Sequence, residues 1–264
     1  MKNVKLFIKE FIKTNLLFHS AQNAFYFILS VFPFLYILTK ILSVIPSPSG
    51  QILKSIEIIF PQEVLLIIYS NLNTISKTPT TFHSIPYILI ALWSSSMLIY
   101  SLKSVFTLFY NKKAAKNKLF IRIISIALTT IILIIIIFTF FTIFFINLGL
   151  SILIKRLSID YSPLILSLAS LILIIFNIVI LYIILPPVRI KITHAIPGAI
   201  FSVIGLTLFS YGFSYYVNYV ADYSRLYGAM GGVIILLLWL YICSVIILSG
   251  GLINSIIFKE KSTH

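Results

Sequence analysis

What most constrains this chain is a set of apolar runs longer than the helices of an ordinary soluble core. A helix rises about 1.5 Å per residue, so roughly 20 apolar residues cross a hydrocarbon layer ~30 Å thick. Six runs reach that scale: 24–45, 86–106, 123–148, 163–185, 197–219 and 231–257. The first ends at Pro46-Ser47-Pro48-Ser49-Gly50, the fourth stops at Pro186-Pro187, and Pro197-Gly198 open the fifth. Only 10% of the residues are charged, against about 25% in a soluble domain. Such a fold cannot clothe itself in polar surface. The runs predict an all-α integral membrane protein: one membrane domain, a bundle of about six transmembrane helices, and no room in 264 residues for a separate catalytic domain.

Orientation follows from the lysines and arginines of the connections, which accumulate on the cytoplasmic side. One side collects Lys2, Lys5, Lys9, Lys13, Lys103, Lys112, Lys113, Lys116, Lys118, Arg122, Arg189, Lys191, Lys259 and Lys261. The other holds Lys54, Lys77, Lys155, Arg156 and Arg225, with Lys40 near the outer end of the first run. Both termini are therefore expected in the cytoplasm. Residues 1–23 read as a cytoplasmic amphipathic lead-in and not as a cleaved signal, because no small-residue cleavage site precedes the first run. The one long connection, 46–85, repeats Ile52, Leu53, Ile56, Ile59 and Phe60 at helical spacing, and after Pro61 Val64, Leu65, Ile68, Leu72 and Ile75. That pattern predicts amphipathic helices lying on the outer face.

Polar groups inside apolar runs are functional suspects, because hydrocarbon offers them no water. Gln22 and Asn23 stand at the start of the first run, with Ser30 and Pro33 within it. Against a functional role, the amides would meet interfacial water and Ser30 would bond its own helix. Pro33 removes a backbone donor and predicts a kink. Lys40 reaches the interface by snorkelling. Ser94-Ser95-Ser96 follow Trp93 and suit close helix packing. Asn147 and Asn177 fit cavity lining and helix glue equally. Trp239 and Tyr241 fall mid-run, where N–H and O–H need protein partners. The candidate cavity or functional polar residues are Asn23, Ser30, Pro33, Ser94, Trp239, Tyr241 and Asn254. Gly198, Gly228, Gly231, Gly232, Gly250 and Gly251 are the helix-packing glycines, and Asp222 and Arg225 sit one turn apart for an ion pair.

Catalytic equipment is sparse. His19, His83, His194 and His264 stand apart from one another and from carboxylates, and Cys243 is the sole cysteine. No HExxH, paired-cysteine, P-loop or GxSxG pattern occurs. No catalytic residue, metal or other cofactor is expected. The formal net charge of +14 would suggest nucleic acid in a soluble protein. The basic stretch from Lys112 to Arg122 lacks interleaved stacking aromatics, however, and its topological role accounts for it. The expected partners are membrane lipids and a small amphipathic substrate, not nucleic acid.

Several segments carry a resemblance. Ala24-Phe25-Tyr26-Phe27-Ile28-Leu29-Ser30-Val31-Phe32-Pro33 looks like the first-helix signature of the YihY/BrkB family of bacterial inner-membrane proteins. Leu92-Trp93-Ser94-Ser95-Ser96 is similar to its second helix. Pro197-Gly198-Ala199, Leu226-Tyr227-Gly228-Ala229-Met230-Gly231-Gly232, Leu237-Leu238-Trp239-Leu240-Tyr241 and Gly250-Gly251-Leu252-Ile253-Asn254 resemble its fifth and sixth. The family commonly has an acidic residue where Leu252 stands, so a mechanism using that carboxylate could not operate here. The resemblance implies a bacterial cytoplasmic membrane location. It brings a ribonuclease label that the residues give no chemical reason to accept. It also implies a transporter or positioner of a lipid or other amphipathic envelope molecule, with a non-transporting envelope assembly factor as the alternative.

Overall fold

The structure, a computed structural model, describes residues 2–43, 84–112, 120–132 with positions 134, 135, 138, 139 and 142, 162–219 and 231–262. Every regular element among the described residues is a helix: α1 Lys2–Lys13, α2 Leu16–Ser43, α3 Ser84–Phe109, α4 Phe120–Ile132, α5 Ser162–Ile184, α6 Ile192–Tyr219 and α7 Gly231–Ser262. Within those residues, Ile192–Val217 and Gly231–Glu260 are long and apolar enough to cross a membrane, and Phe120–Ile132 and Ser170–Ile184 are shorter apolar helices. Nearly all of the outer connection, the later part of the third run, Gly228, Asp222 and Arg225 lie outside the described residues.

Helix limits differ from the hydropathy runs where polar residues extend an apolar helix. The helix of the first run begins at Leu16, inside the segment read as a lead-in, and that of the last run continues to Ser262. The helix of the fifth run begins at Ile192, so Pro197 is inside it. Hydropathy marks where lipid solvates a helix, whereas backbone hydrogen bonds extend it into the interface.

Asparagine ends two helices. Asn15, with φ 48°, separates α1 from α2, and Asn111, with φ 51°, follows α3. Asn tolerates this left-handed conformation better than most residues. At the end of α3 the Lys112 N–H reaches the Thr107 carbonyl at 3.1 Å. That is the six-to-one bond of a Schellman turn, which satisfies a carbonyl the helix would otherwise leave open.

Helix α7 is the hub, packing against α6, α2, α1 and α3, while α2 also packs on α3 and α5 on α6. One core cluster joins Leu16, Phe106, Phe109, Tyr182, Leu248 and Leu252. A second joins Ala24, Phe213, Val217, Trp239, Leu240 and Cys243. Phe27 packs against both. Helix α1 turns Leu6, Phe7 and Phe11 toward the first cluster and leaves Val4, Ile8 and Ile12 exposed. Arg122 of α4 places its guanidinium 4.4 Å over the Trp93 ring of α3 and donates to the Trp93 carbonyl at 3.4 Å.

Candidate functional site

Two kinds of polar seam run through this bundle. The first, between α5, α6 and α7, is saturated. Gly198 and Gly250 bring α6 and α7 into backbone contact: a Cβ on Gly250 would lie 2.5 Å from the Tyr182 hydroxyl and 2.6 Å from the Gly198 carbonyl. Tyr182, fully buried, donates to the Ile247 carbonyl at 2.6 Å and shares a 2.6 Å bond with Ser202 Oγ. Asn254 receives the Gly198 N–H on Oδ1 at 2.8 Å and donates from Nδ2 to the Ala195 carbonyl at 3.0 Å. These bonds flank Pro197, which has no N–H and interrupts the ladder of α6. A proline within an apolar helix is tolerated where neighbours satisfy the freed backbone groups. The missing N–H is the one that would reach the Thr193 carbonyl; the Asn254 side chain, from the facing helix, engages the backbone on either side of the proline instead. Partners descend along α7 as they ascend along α6, from Gly198–Asn254 to Ser210–Trp239, so the two helices are antiparallel.

A second set of buried polar groups, on the mutually packed helices α2, α3 and α7, is open among the described residues. Asn23, at 0% exposure, has neither amide atom hydrogen-bonded, and Ser101 and Ser244 have unpartnered hydroxyls among the described residues. Asn23 and Ser244 are the chain neighbours of Ala24 and Cys243, which share one apolar cluster. Ser101 precedes Leu102, which belongs with Leu16 to the other cluster. Phe27, one turn beyond Asn23 on α2, packs against both clusters. Leaving a buried polar group unmatched costs about 1–3 kcal/mol. Three such groups on contacting helices therefore mark a place where a polar guest gains most.

Among the described residues, Trp239 and Asn254 of the expected set stand at separate places along α7. Trp239 donates to Ser210 Oγ at 3.3 Å, and Asn254 is tied to the start of α6. At 1.5 Å per residue, the 15 positions between them along α7 span about 22 Å. Ser30 bonds its own helix at the Phe27 carbonyl, 2.8 Å away, and Ser94 does the same with Ile90 at 2.8 Å. Tyr241 is half-buried beside the second cluster. Pro33 is on α2, and its side chain lies outside the described residues. Gly251 seats the Phe106 ring, and Gly231 is buried at the start of α7. Of the candidates, Asn23 alone belongs to the open seam. Ser101, Ser244, Tyr182 and Ser202 were not singled out by sequence, since a serine in an apolar helix gives no sign of whether its own carbonyl or a neighbour receives it.

A further pair of open groups lies at the other end of the core. The Tyr110 hydroxyl and His194 Nδ1 are buried without partners among the described residues. Both rings meet Phe258 edge-on, at centroid distances of 5.5 and 6.1 Å. Burial pushes the Tyr110 phenol above its ordinary range, keeping it a protonated donor. Among the described residues no three His, Cys, Asp or Glu side chains cluster for a metal ion.

Apolar helices of membrane-crossing length, joined through glycines and uncharged hydrogen-bonding groups, define a helical membrane protein. Comparison with known proteins supplies the family. The chain belongs to the BrkB family, whose description, Virulence factor BrkB, matches residues 7–264. A ribonuclease-like protein, YfkH, of Bacillus subtilis (strain 168) is 31% identical over 261 residues, covering 92% of this chain and 90% of the relative. A UPF0761 membrane protein of Xanthomonas campestris pv. campestris (strain B100) is 37% identical over 78 residues, covering 30% of this chain and 18% of that protein. No solved structure matches the chain.

Proposed function

We propose that this protein moves or positions a lipid or other amphipathic envelope molecule in the bacterial cytoplasmic membrane, as a multi-pass bundle of about six spans with both termini inside. The observation that supports the reading is the set of open polar groups: Asn23, Ser101 and Ser244 are buried on three contacting helices without hydrogen-bond partners among the described residues. An amphiphile must take its polar end past hydrocarbon, and uncharged donors and acceptors between helices lower that barrier without the cost of a buried ion. Asn23 offers both a donor and an acceptor, and each serine hydroxyl offers both. On this reading Asn23, Ser101 and Ser244 are the groups an amphiphile's polar end would meet.

The test is lipid redistribution in reconstituted vesicles. Wild-type protein should exchange a fluorescent lipid between leaflets faster than protein-free vesicles. Asn23→Leu should slow the exchange roughly tenfold, the loss of ~1.4 kcal/mol of barrier lowering. Rates equal to those of empty vesicles across several lipid classes would sink the proposal.

A second reading, a structural or assembly factor of the envelope, is favoured by the saturated α5–α6–α7 seam, whose Tyr182, Ser202 and Asn254 bonds all serve packing. Under that reading Asn23→Leu alters no transport rate. Ribonuclease activity has no comparable support: RNA hydrolysis calls for clustered acids, bases or metal ligands, and the histidines and carboxylates stand apart in sequence. The ribonuclease-like name belongs to the Bacillus relative. Purified protein cleaving RNA in the presence of divalent metal would overturn this.

A further inference from the structure

We infer that the junction of the α3 C-terminus, the α6 N-terminus and α7 binds a phosphate group, with Tyr110 and His194 at its floor and Lys112, Lys191 and Lys259 at its rim.

The floor comes first. Tyr110 is 6% exposed, and its hydroxyl has no partner among the described residues, nor has His194 Nδ1. Both rings pack edge-on against Phe258, which brings the two residues into one neighbourhood. Hiding such groups costs about 1–3 kcal/mol each. Apolar substitutes of similar shape, Phe for Tyr and Leu for His, would fill the same space without that cost.

The charge comes second. Lys112 lies two positions beyond Tyr110, Lys191 three before His194, and Lys259 next to Phe258. Lys112 and Lys191 are exposed and Lys259 is half-buried. Each member of the aromatic trio thus brings a lysine from its own chain segment. The 28-residue helix α6 opens at Ile192, two residues before His194. Its first N–H groups and its dipole favour an anion there. Glu10 and Glu260, the latter next to Lys259 in the chain, are opposing groups. Glu10 lies 3.8 Å from Lys13, which matches its charge. Orientation by positive charge would explain the lysines alone. It would not explain a buried phenol hydroxyl and imidazole Nδ1 without partners among the described residues.

Phosphate oxygens suit this arrangement, because they accept hydrogen bonds from a phenol, an imidazole N–H and ammonium groups at once. The phosphate is that of a lipid headgroup or of a free anion. The first source would give the amphiphile of the proposed function a phosphate-bearing end, and that link alone rests on the transport reading.

The experiment uses the full chain in detergent. Thermal unfolding is followed by labelling of Cys243, the sole cysteine, which is buried. The probes are inorganic phosphate, dihexanoyl phosphatidic acid, and dihexanoyl glycerol as the phosphate-free control. A bound probe raises the unfolding temperature in proportion to the logarithm of its occupancy ratio. Phosphatidic acid should stabilise wild type saturably and the glycerol control should not. Equal stabilisation by inorganic phosphate assigns the site to the free anion, and stabilisation by phosphatidic acid alone assigns it to a headgroup. Tyr110→Phe and His194→Gln should each weaken apparent affinity about tenfold, ~1.4 kcal/mol. Should either variant misfold, Lys191→Gln on the surface should weaken binding about threefold in a folded protein, and wild-type affinity there would count against the site. No saturable stabilisation of wild type by either phosphate probe, or unchanged affinity in folded Tyr110→Phe and His194→Gln, overturns the inference. Phosphate binding by a preparation that moves no lipid would sink the transport reading and leave this site standing. Lipid movement with no phosphate binding would do the reverse.

Discussion

At the scale of single residues, the contrast between occupied and open polar groups decides what a substitution does. Gly250 sits between Ser202, Tyr182 and the Gly198 carbonyl. Alanine there gains up to ~1 kcal/mol of helix propensity, but the new methyl meets backbone that cannot step aside. Overpacking costs about 1–3 kcal/mol, so Gly250→Ala should lower the unfolding temperature in detergent, as should Gly198→Ala. Asn254→Ala removes two bonds to the backbone of α6. Interhelical bonds in membranes average ~0.6 kcal/mol, yet this loss also strands backbone groups beside Pro197, so about 1–3 kcal/mol is expected. Cys243 labelling on a temperature ramp measures both. Asn23 should behave in the opposite sense. Its amide has no partner among the described residues, and leucine is close to it in shape. Asn23→Leu should therefore raise thermal stability while slowing lipid exchange, and a variant that loses stability would show that the amide already serves packing.

At the scale of elements, α1 presents two apolar faces with different fates. Leu6, Phe7 and Phe11 pack on the core, whereas Val4, Ile8 and Ile12 repeat every fourth residue on the exposed side. Lys5, Lys9 and Lys13 repeat at the same interval, one position on. In detergent, Phe11→Ala should cost about 1–3 kcal/mol, below the range for a fully buried phenylalanine because Phe11 is half-buried. Ile8→Ser should shift stability by no more than ~0.5 kcal/mol. Equal effects would mean that α1 is not held through the face described here. The amphipathic character of this segment was legible in the spacing of its lysines and apolar residues. Its packing on α7 was not, because periodicity names a buried face without naming what buries it.

At the scale of the whole molecule, the charge distribution and the apolar runs give one expectation about insertion. A reporter fused after His264 should remain cytoplasmic, and an alkaline carbonate wash should leave the protein in the membrane fraction. An external reporter would invert the proposed orientation and move the Tyr110–His194 junction to the opposite face.

Hydrophobic length and lysine placement are properties of the chain acting alone against lipid and water, so the helical membrane character could be read from residue order. The mid-run positions of Trp239 and Asn254 likewise announced that each needed a partner. Which partner each found, Ser210 in one case and the backbone around Pro197 in the other, depended on the antiparallel register of α6 against α7. The same holds for serine. Ser30 and Ser94 turn back to their own carbonyls, Ser202 reaches Tyr182, and Ser101 and Ser244 find nothing among the described residues. A hydroxyl can be satisfied locally or across a seam at similar energy, so only the approach of a second helix selects between them. That choice belongs to tertiary structure, and it divides the polar groups that hold this bundle together from those left open to a guest.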